Sequence, residues 1–331
     1  RQVDRAGLEQ ALMTTQPVEM SRWNRHEVLN KARVLLAERA EEFAQLIRRE
    51  SGLCMCETRY EVGRAQDVLQ FASMEALRDD GQVFSCDVSP QGKSRKIFTL
   101  REPLHLVAAI TPFNHPLNQV AHKLAPAIAV GAPVILKPSE KTPLTALKFT
   151  ELLYEAGLPP QMLSTIVGSV DEVITPMIED ERVEMVSFTG SVAIGKLISR
   201  TAGYKKLCLE LGGNSPLIVL DDADLDLAVT LAAEGCFRNS GQRCTAVKRL
   251  LIHESVLEKF TEAFVEKISE YPSGDPADEA TRVGTVIDEA AATLLEKRVT
   301  QAVTAGAKVL AGGNRNGALL EPTIIAEVPR D

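Results

Sequence analysis

An α/β protein of two domains, each with a mainly parallel sheet flanked by helices, is the fold that this sequence predicts. Three observations carry the prediction. From residue 97 short apolar runs alternate with amphipathic stretches, as parallel strands joined by crossover helices do. The alternation falls into two series, with Gly212-Gly213 at the border between them. And 331 residues exceed one ordinary core, at about 150 residues per domain. The expected domains are 1–213 and 214–331.

The N-terminal part reads as helical. Val28, Leu29, Ala32, Leu35, Leu36, Ala40, Phe43 and Ile47 recur at helical spacing and Gly52 supplies a stop, so one long amphipathic helix is expected over 23–51. A second helical stretch covers about 58–78. Strands follow at 104–110, 134–136, 163–167, 185–188 and 207–209, with helices at 143–156, 171–179 and 191–202. The second series has strands at 216–220, 247–253, 309–310 and 323–328, and helices at 225–238, 256–269 and 290–305. Sites in such sheets lie at the carboxyl ends of the strands.

Composition narrows the function classes. Hydrophobic residues make up 45% and charged residues 25%, with a net charge of -8, which argues against nucleic acid as a partner. No apolar run reaches the roughly 18 residues of a membrane span; the stretch from Leu124 to Leu136 is interrupted by Pro126, Gly131 and Pro133. With no basic-then-apolar leader in view, the expectation is a cytoplasmic protein away from membranes. Six cysteines, at 54, 56, 86, 208, 236 and 244, do not make a disulfide framework in a chain of this length, and none has zinc-site spacing. Cys54 and Cys56 read as an ordinary loop or helix-start pair, and no metal is expected. The chain starts at Arg1 rather than Met and stops at Asp331 after a strand-like run, as though both ends were cut from something longer.

Two motifs fail on inspection. Gly190-Ser-Val-Ala-Ile-Gly195-Lys196-Leu197 nearly spells a nucleotide-binding phosphate loop, but Leu197 stands where a magnesium-binding hydroxyl is needed. The turn keeps one physical virtue: a helix N-terminus with Ser191 seats a pyrophosphate well, or else Ser191 is simply a helix cap. Gly213-Asn-Ser215-Pro-Leu217 fails the nucleophile-elbow pattern at its last position.

Three segments share a different logic, each placing a reactive side chain in a turn next to a regular element. They are Thr111-Pro-Phe-Asn114-His-Pro116, Leu209-Glu210-Leu-Gly-Gly-Asn-Ser-Pro216 and Asn239-Ser-Gly-Gln-Arg-Cys244-Thr245. Together, in this order and spacing, they resemble the aldehyde dehydrogenase superfamily from about residue 20 to 328. Val134-Ile-Leu-Lys137-Pro-Ser-Glu140 and Ser187-Phe-Thr-Gly190-Ser191 are similar to its cofactor segments.

The resemblance implies that Cys244 attacks the aldehyde carbon, with Asn114 and the Cys244 N–H holding the oxyanion and Glu210 as general base for thioester hydrolysis. It also implies a cofactor site made by Thr111, Pro112, Phe113, Lys137, Ser139, Glu140, Gly190, Ser191, Leu211 and Gly212. Glu140 accepts both ribose hydroxyls and repels a 2′-phosphate, so NAD is expected over NADP.

Arg64, His115, Arg243 and Thr245 are the expected substrate residues, with His122 and Lys123 one to two helical turns past His115. Cations around a small aldehyde imply an anionic substrate. The runs Asn239 to Arg249, Gly284 to Asp288 and Arg315 to Ala318 resemble the phosphonoacetaldehyde-oxidising branch, near lactaldehyde and glyceraldehyde-3-phosphate oxidisers. That implies oxidation of phosphonoacetaldehyde to phosphonoacetate. The alternatives are another small aldehyde (lactaldehyde, glyceraldehyde 3-phosphate or succinate semialdehyde), thioester transfer to coenzyme A, or a non-catalytic fragment of the fold. The family pattern continues past residue 331 with a nicotinamide-ribose segment and an oligomerisation strand, and has strands before residue 1. The chain is thus expected to lack both ends of the family fold, and its parent to be a homodimer or homotetramer.

Overall fold

The computed structural model describes residues 2–78 and 81–329. Four helices come first: α1 (Arg5–Thr14), α2 (Arg22–Glu38), α3 (Ala40–Ser51) and α4 (Met55–Glu75). The single helix expected over 23–51 is broken at Arg39, whose φ of -108° and ψ of 20° leave the helical region. The guanidinium of Arg39 is fork-bonded to Glu155 at 2.8 and 2.6 Å. The break re-aims the apolar stripe, so that Phe43, Ala44 and Ile47 are fully buried alongside Leu29, Ala32 and Leu36. α4 begins earlier than expected because Cys54, in extended conformation, starts it, while Gly52 ends α3 at φ +74°.

A short hairpin, β1 (Val83–Phe84) and β2 (Ile97–Phe98), precedes the alternating region. There β3 (Val107–Ile110), α5 (Asn118–Val130), β4 (Val134–Lys137), α6 (Pro143–Glu155), β5 (Leu163–Thr165), α7 (Thr175–Glu179), β6 (Met185–Thr189), α8 (Val192–Thr201) and β7 (Lys206–Glu210) succeed one another. The five strands form one parallel sheet in the order β5-β4-β3-β6-β7. Strand order reverses at β3, which puts a crevice at the carboxyl ends of β3 and β6.

The continuous apolar runs of β3 and β4 follow from burial on both faces. Val107, Ala109, Val134 and Leu136 pack with α2 to α6 on one side; Ala108, Ile110 and Ile135 pack with α1, α7 and α8 on the other. Residues after the glycine pair build a third core around Val219, Phe237, Phe260 and Phe264. Its elements are β8 (Ser215–Val219), α9 (Leu225–Phe237), β9 (Val247–Ile252), α10 (Leu257–Lys267), α11 (Glu289–Thr304), β10 (Lys308–Ala311), β11 (Arg315–Asn316), β12 (Leu319–Leu320) and β13 (Ile324–Ala326). Among the described residues β8 and β9 pair in parallel, whereas β10–β13 and β11–β12 are antiparallel pairs. No described helix is long and apolar enough to cross a membrane.

Candidate active site

The expected cofactor residues all sit where parallel strands end. β3 runs into Thr111, whose N–H donates to the Lys137 carbonyl at 3.2 Å and whose hydroxyl is buried without a partner. Pro112 and Phe113 carry the chain onward, the Phe113 carbonyl accepting from the Thr142 hydroxyl at 3.5 Å. β4 ends on Lys137, which is 5% exposed, with its ammonium 3.4 Å from Glu140. Burial draws the Lys137 pKa down, and Glu140 opposes the shift. Ser139 shapes the intervening turn, its hydroxyl accepting from the Lys141 N–H at 3.3 Å.

β6 leads to Gly190, whose N–H donates to the Glu210 carbonyl at 3.0 Å. Ser191 then caps α8, accepting from the Ile194 N–H at 3.3 Å. Leu211 lies on Gly195, where any Cβ would overlap its side chain, so α8 is held close to the exit of β7 through Leu211 and Gly212. Thr189, which sequence reasoning had not singled out, also buries an unpartnered hydroxyl at the end of β6. Buried polar groups normally find partners. Two orphan hydroxyls at the switch point, a helix N-terminus for an anion and a Lys–Glu pair for a diol fit a nicotinamide dinucleotide.

Cys244 is delivered by a constrained turn. After α9, Asn239, Ser240 and Gly241 have φ of 58°, 51° and 68°, a left-handed run that costs about 1–3 kcal/mol per non-glycine residue. Distant groups hold it. Arg238 is fork-bonded to Glu57 at 2.9 and 3.1 Å. The Asn239 amide donates to the Asn114 carbonyl at 3.1 Å, and the Ser240 hydroxyl to the Gly284 carbonyl at 3.0 Å. Gln242 accepts from the Ile287 N–H at 2.9 Å. The turn leaves the Cys244 side of the chain exposed.

Asn114 joins this loop directly: its Nδ2 donates to the Gln242 carbonyl at 2.7 Å, using one of two amide hydrogens. Glu210, exposed, ends β7 in register with Thr189. Three residues on, the Gly213 backbone lies so close to Cys244 that a Cβ there would come within 3.0 Å of the Cys244 carbonyl oxygen. Lys248 fastens the same junction, its ammonium 2.9 Å from the Gly213 carbonyl. The loop bearing Cys244 thus touches both Asn114 and the segment leaving Glu210.

The expected substrate residues scatter more. Arg243 does not offer its whole fork to a ligand: Nη2 donates to the carbonyls of Glu234 and Gly235 in the last turn of α9, at 2.8 and 3.0 Å, and Nε is buried without a partner. His115 has its Nδ1 3.6 Å from Glu61, a buried carboxylate whose other oxygen accepts from the Leu117 and Asn118 N–H groups at 2.8 and 2.9 Å. Lys123 points inward, 9% exposed, its ammonium donating to the Ser187 hydroxyl at 2.9 Å. Desolvation lowers its pKa to about 8, against the pull of Cys208 and Glu210. Arg64 and His122 do come together, lining a cavity of about 370 Å³ between α4 and α5. Arg64 also pairs with Asp67 at 3.1 Å. Thr245 is exposed beside Cys244. Among the described residues no cluster of three or more His, Cys, Asp or Glu is placed to hold a metal.

Residues 2–331 match the aldehyde dehydrogenase family model. The chain is 43% identical over 311 residues to the 3-sulfolactaldehyde dehydrogenase of Priestia aryabhattai, a match covering 94% of this chain and 65% of that protein. It therefore spans less than two thirds of that relative's length. Among solved structures, aldehyde dehydrogenase 21 from Physcomitrella patens, in complex with the reaction product succinate, aligns with a TM-score of 0.95 at 38% identity, covering 99% of this chain and 69% of that one. Glyceraldehyde-3-phosphate dehydrogenase from Methanocaldococcus jannaschii, complexed with NADP, aligns with a TM-score of 0.94 at 36% identity, covering 98% and 72%.

Proposed function

This chain belongs to the aldehyde dehydrogenase family, and from that premise we propose that it oxidises a small anionic aldehyde with NAD, phosphonoacetaldehyde to phosphonoacetate being the leading substrate. The observation that carries the reading is the 2.7 Å bond from Asn114 to the Gln242 carbonyl, two residues before Cys244. It ties an amide donor to the loop of an exposed thiol, in a chain whose glutamate strand meets the same loop at Gly213.

In this reading the Cys244 thiolate adds to the aldehyde carbon. The resulting thiohemiacetal oxyanion is held by the second Asn114 amide hydrogen and the Cys244 N–H; a donor of this kind lowers the barrier by about 3–4 kcal/mol. A nicotinamide dinucleotide, when bound, supplies the hydride acceptor. Lys137 and Glu140 would hold its ribose, and Gly190 and Ser191 its pyrophosphate. The thioester left on Cys244 is then hydrolysed by a water that gives its proton to Glu210. Residues 1–213 serve as the cofactor-binding domain and 214–331 as the catalytic one.

For the substrate, both arginines are partly engaged, Arg64 with Asp67 and Arg243 with α9, and Arg64 shares its cavity with His122, so these two together are the candidates for an anionic end. The likeness to a 3-sulfolactaldehyde dehydrogenase supports an anionic aldehyde, since sulfonate and phosphonate present similar tetrahedral oxygens. The sulfonated aldehyde is accordingly the second candidate, ahead of lactaldehyde, glyceraldehyde 3-phosphate and succinate semialdehyde. Glu140 favours NAD, although a structural neighbour is complexed with NADP. A cytoplasmic homodimer or homotetramer completes the proposal.

The test is NADH formation by the full-length protein with phosphonoacetaldehyde, 3-sulfolactaldehyde, the three other aldehydes and propanal. A preference for an anionic aldehyde of roughly a hundredfold in kcat/KM, about 2.7 kcal/mol, supports the proposal. Equal rates with propanal would remove the anionic substrate while leaving the chemistry. No NADH from any aldehyde, with Cys244 still open to alkylation, would defeat the enzymatic reading.

A further inference from the structure

Away from the nucleophile, two other thiols touch. The sulfurs of Cys54 and Cys56 are 3.3 Å apart at the start of α4. Cys54 is 1% exposed and stands at the N-cap position without a side-chain capping bond; Cys56, two residues on in the first helical turn, is half-buried and reachable from solvent. The Cys54 sulfur also lies 3.3 Å from the Arg282 carbonyl. A thiol pair on residues two apart, where the first is extended and the second helical, needs its sulfurs to close from 3.3 Å to the bond length of about 2.05 Å.

We propose that Cys54 and Cys56 are a reversible dithiol–disulfide site, oxidised by one equivalent of hydroperoxide and separate from Cys244. Hydrogen bonding from Cys54 lowers the Cys56 pKa to about 6, with Arg282 adding its positive charge against the effects of burial and Glu57. The twenty-one-residue helix beginning at Met55 contributes its N-terminal field in the same sense. Cys56 is therefore the attacking sulfur. Its thiolate adds to one peroxide oxygen: the S–O bond forms, the O–O bond breaks, and the departing hydroxide takes up a proton to leave as water. The Cys54 sulfur then attacks the sulfenic sulfur; the S–S bond forms, the S–O bond breaks, and the hydroxyl leaves with the Cys54 proton as a second water. Two thiols are oxidised by two electrons, and one peroxide is reduced. The raised pKa of Cys54 has the neighbouring Cys56 as its largest cause, so formation of the uncharged sulfenic acid frees Cys54 for the second step.

Trypsin releases both thiols in one peptide, residues 50–59, which contains neither Cys244 nor any other cysteine. The experiment treats the full-length protein with one equivalent of hydrogen peroxide in the presence of dimedone and weighs that peptide. The expected result is a loss of about 2 Da, reversed by dithiothreitol, with little dimedone adduct. In Cys54→Ser the same peptide should carry at least about tenfold more dimedone at Cys56, because the resolving thiol is gone. If that variant disturbs the core, Cys56→Ser answers the same question from the accessible side, and there Cys54 should stay a free thiol. Equal dimedone capture in the parent and in Cys54→Ser would overturn the proposal. So would a sulfinic acid on Cys56 with Cys54 still free, or a peptide left unchanged after Cys244 has been oxidised.

Discussion

Replacing Gly213 by alanine tests the junction on which the proposed site depends. A Cβ there would fall inside 3.0 Å of the Cys244 carbonyl oxygen and 3.4 Å from its carbon, so the obstacle is backbone and cannot swing away. Restoring an ordinary carbon–oxygen contact of about 3.3 Å requires the two segments to part by several tenths of an ångström to about one ångström. Overpacking of this kind costs about 1–3 kcal/mol, and at roughly 2 °C per kcal/mol in a chain of this size Tm should fall by about 2–6 °C. The larger effect is on alignment: a displacement near one ångström between nucleophile and base lowers turnover by about a hundredfold. The assay pairs thermal melting with NADH formation and the rate of iodoacetamide alkylation at Cys244. Gly63→Ala serves as the control, since its Cβ meets nothing within 4 Å in the middle of α4, and it should stabilise by about 0.5–1 kcal/mol. If Gly213→Ala melts within a degree of the parent and turns over within a factor of two, the contact between base strand and nucleophile loop is not as described.

Three further outcomes follow. Glu61→Ala should lose about 2–4 kcal/mol in urea unfolding, because it strands the buried Leu117 N–H and the part-buried Asn118 N–H at the start of α5, whereas Glu61→Gln keeps an acceptor and should lose less than half of that. Lys123 has its pKa lowered to about 8, so between pH 8 and its unfolded value near 10.5 the unfolded chain holds a proton that the folded chain has released. Stability should therefore rise with pH across that window, by about 3 kcal/mol at its upper end, and Lys123→Met, measured by urea midpoints at both pH values, should abolish the rise. Glu140→Ser should lower the NAD-to-NADP ratio of kcat/KM by roughly tenfold if the carboxylate meets the ribose; an unchanged ratio would remove Glu140 from cofactor choice.

The strands of the first sheet were legible because burial on both faces forces unbroken apolar runs bounded by turns, and observed and expected boundaries differ by no more than three residues. The break at Arg39 was not legible, since the apolar spacing runs through it and the partner that Arg39 takes, Glu155, lies more than a hundred residues away. Helix α1 and the hairpin β1–β2 were missed as well; the hairpin strands are two residues each and exposed, with no periodicity to read. At the site, residue types and order identified Cys244, Glu210 and Asn114 as candidates, but not their placement. Side-chain direction escaped altogether: Arg243 turns back on α9 and Lys123 turns into the sheet, because each takes the partner that folding brings within reach.

The turn before Cys244 carries a consequence for assembly. Its left-handed backbone is stabilised by Glu57, Asn114 and Gly284, which lie 181, 125 and 44 residues from the groups they hold. A peptide of the same sequence has none of these anchors and would not keep the shape. During folding the turn can close only after α4, the β3 exit and the segment before α11 have all arrived, so it belongs to the late, non-local part of the process. The same dependence runs in reverse under mild denaturant. The alkylation rate of Cys244 should change while most helical signal remains, making it an early gauge of damage to the fold.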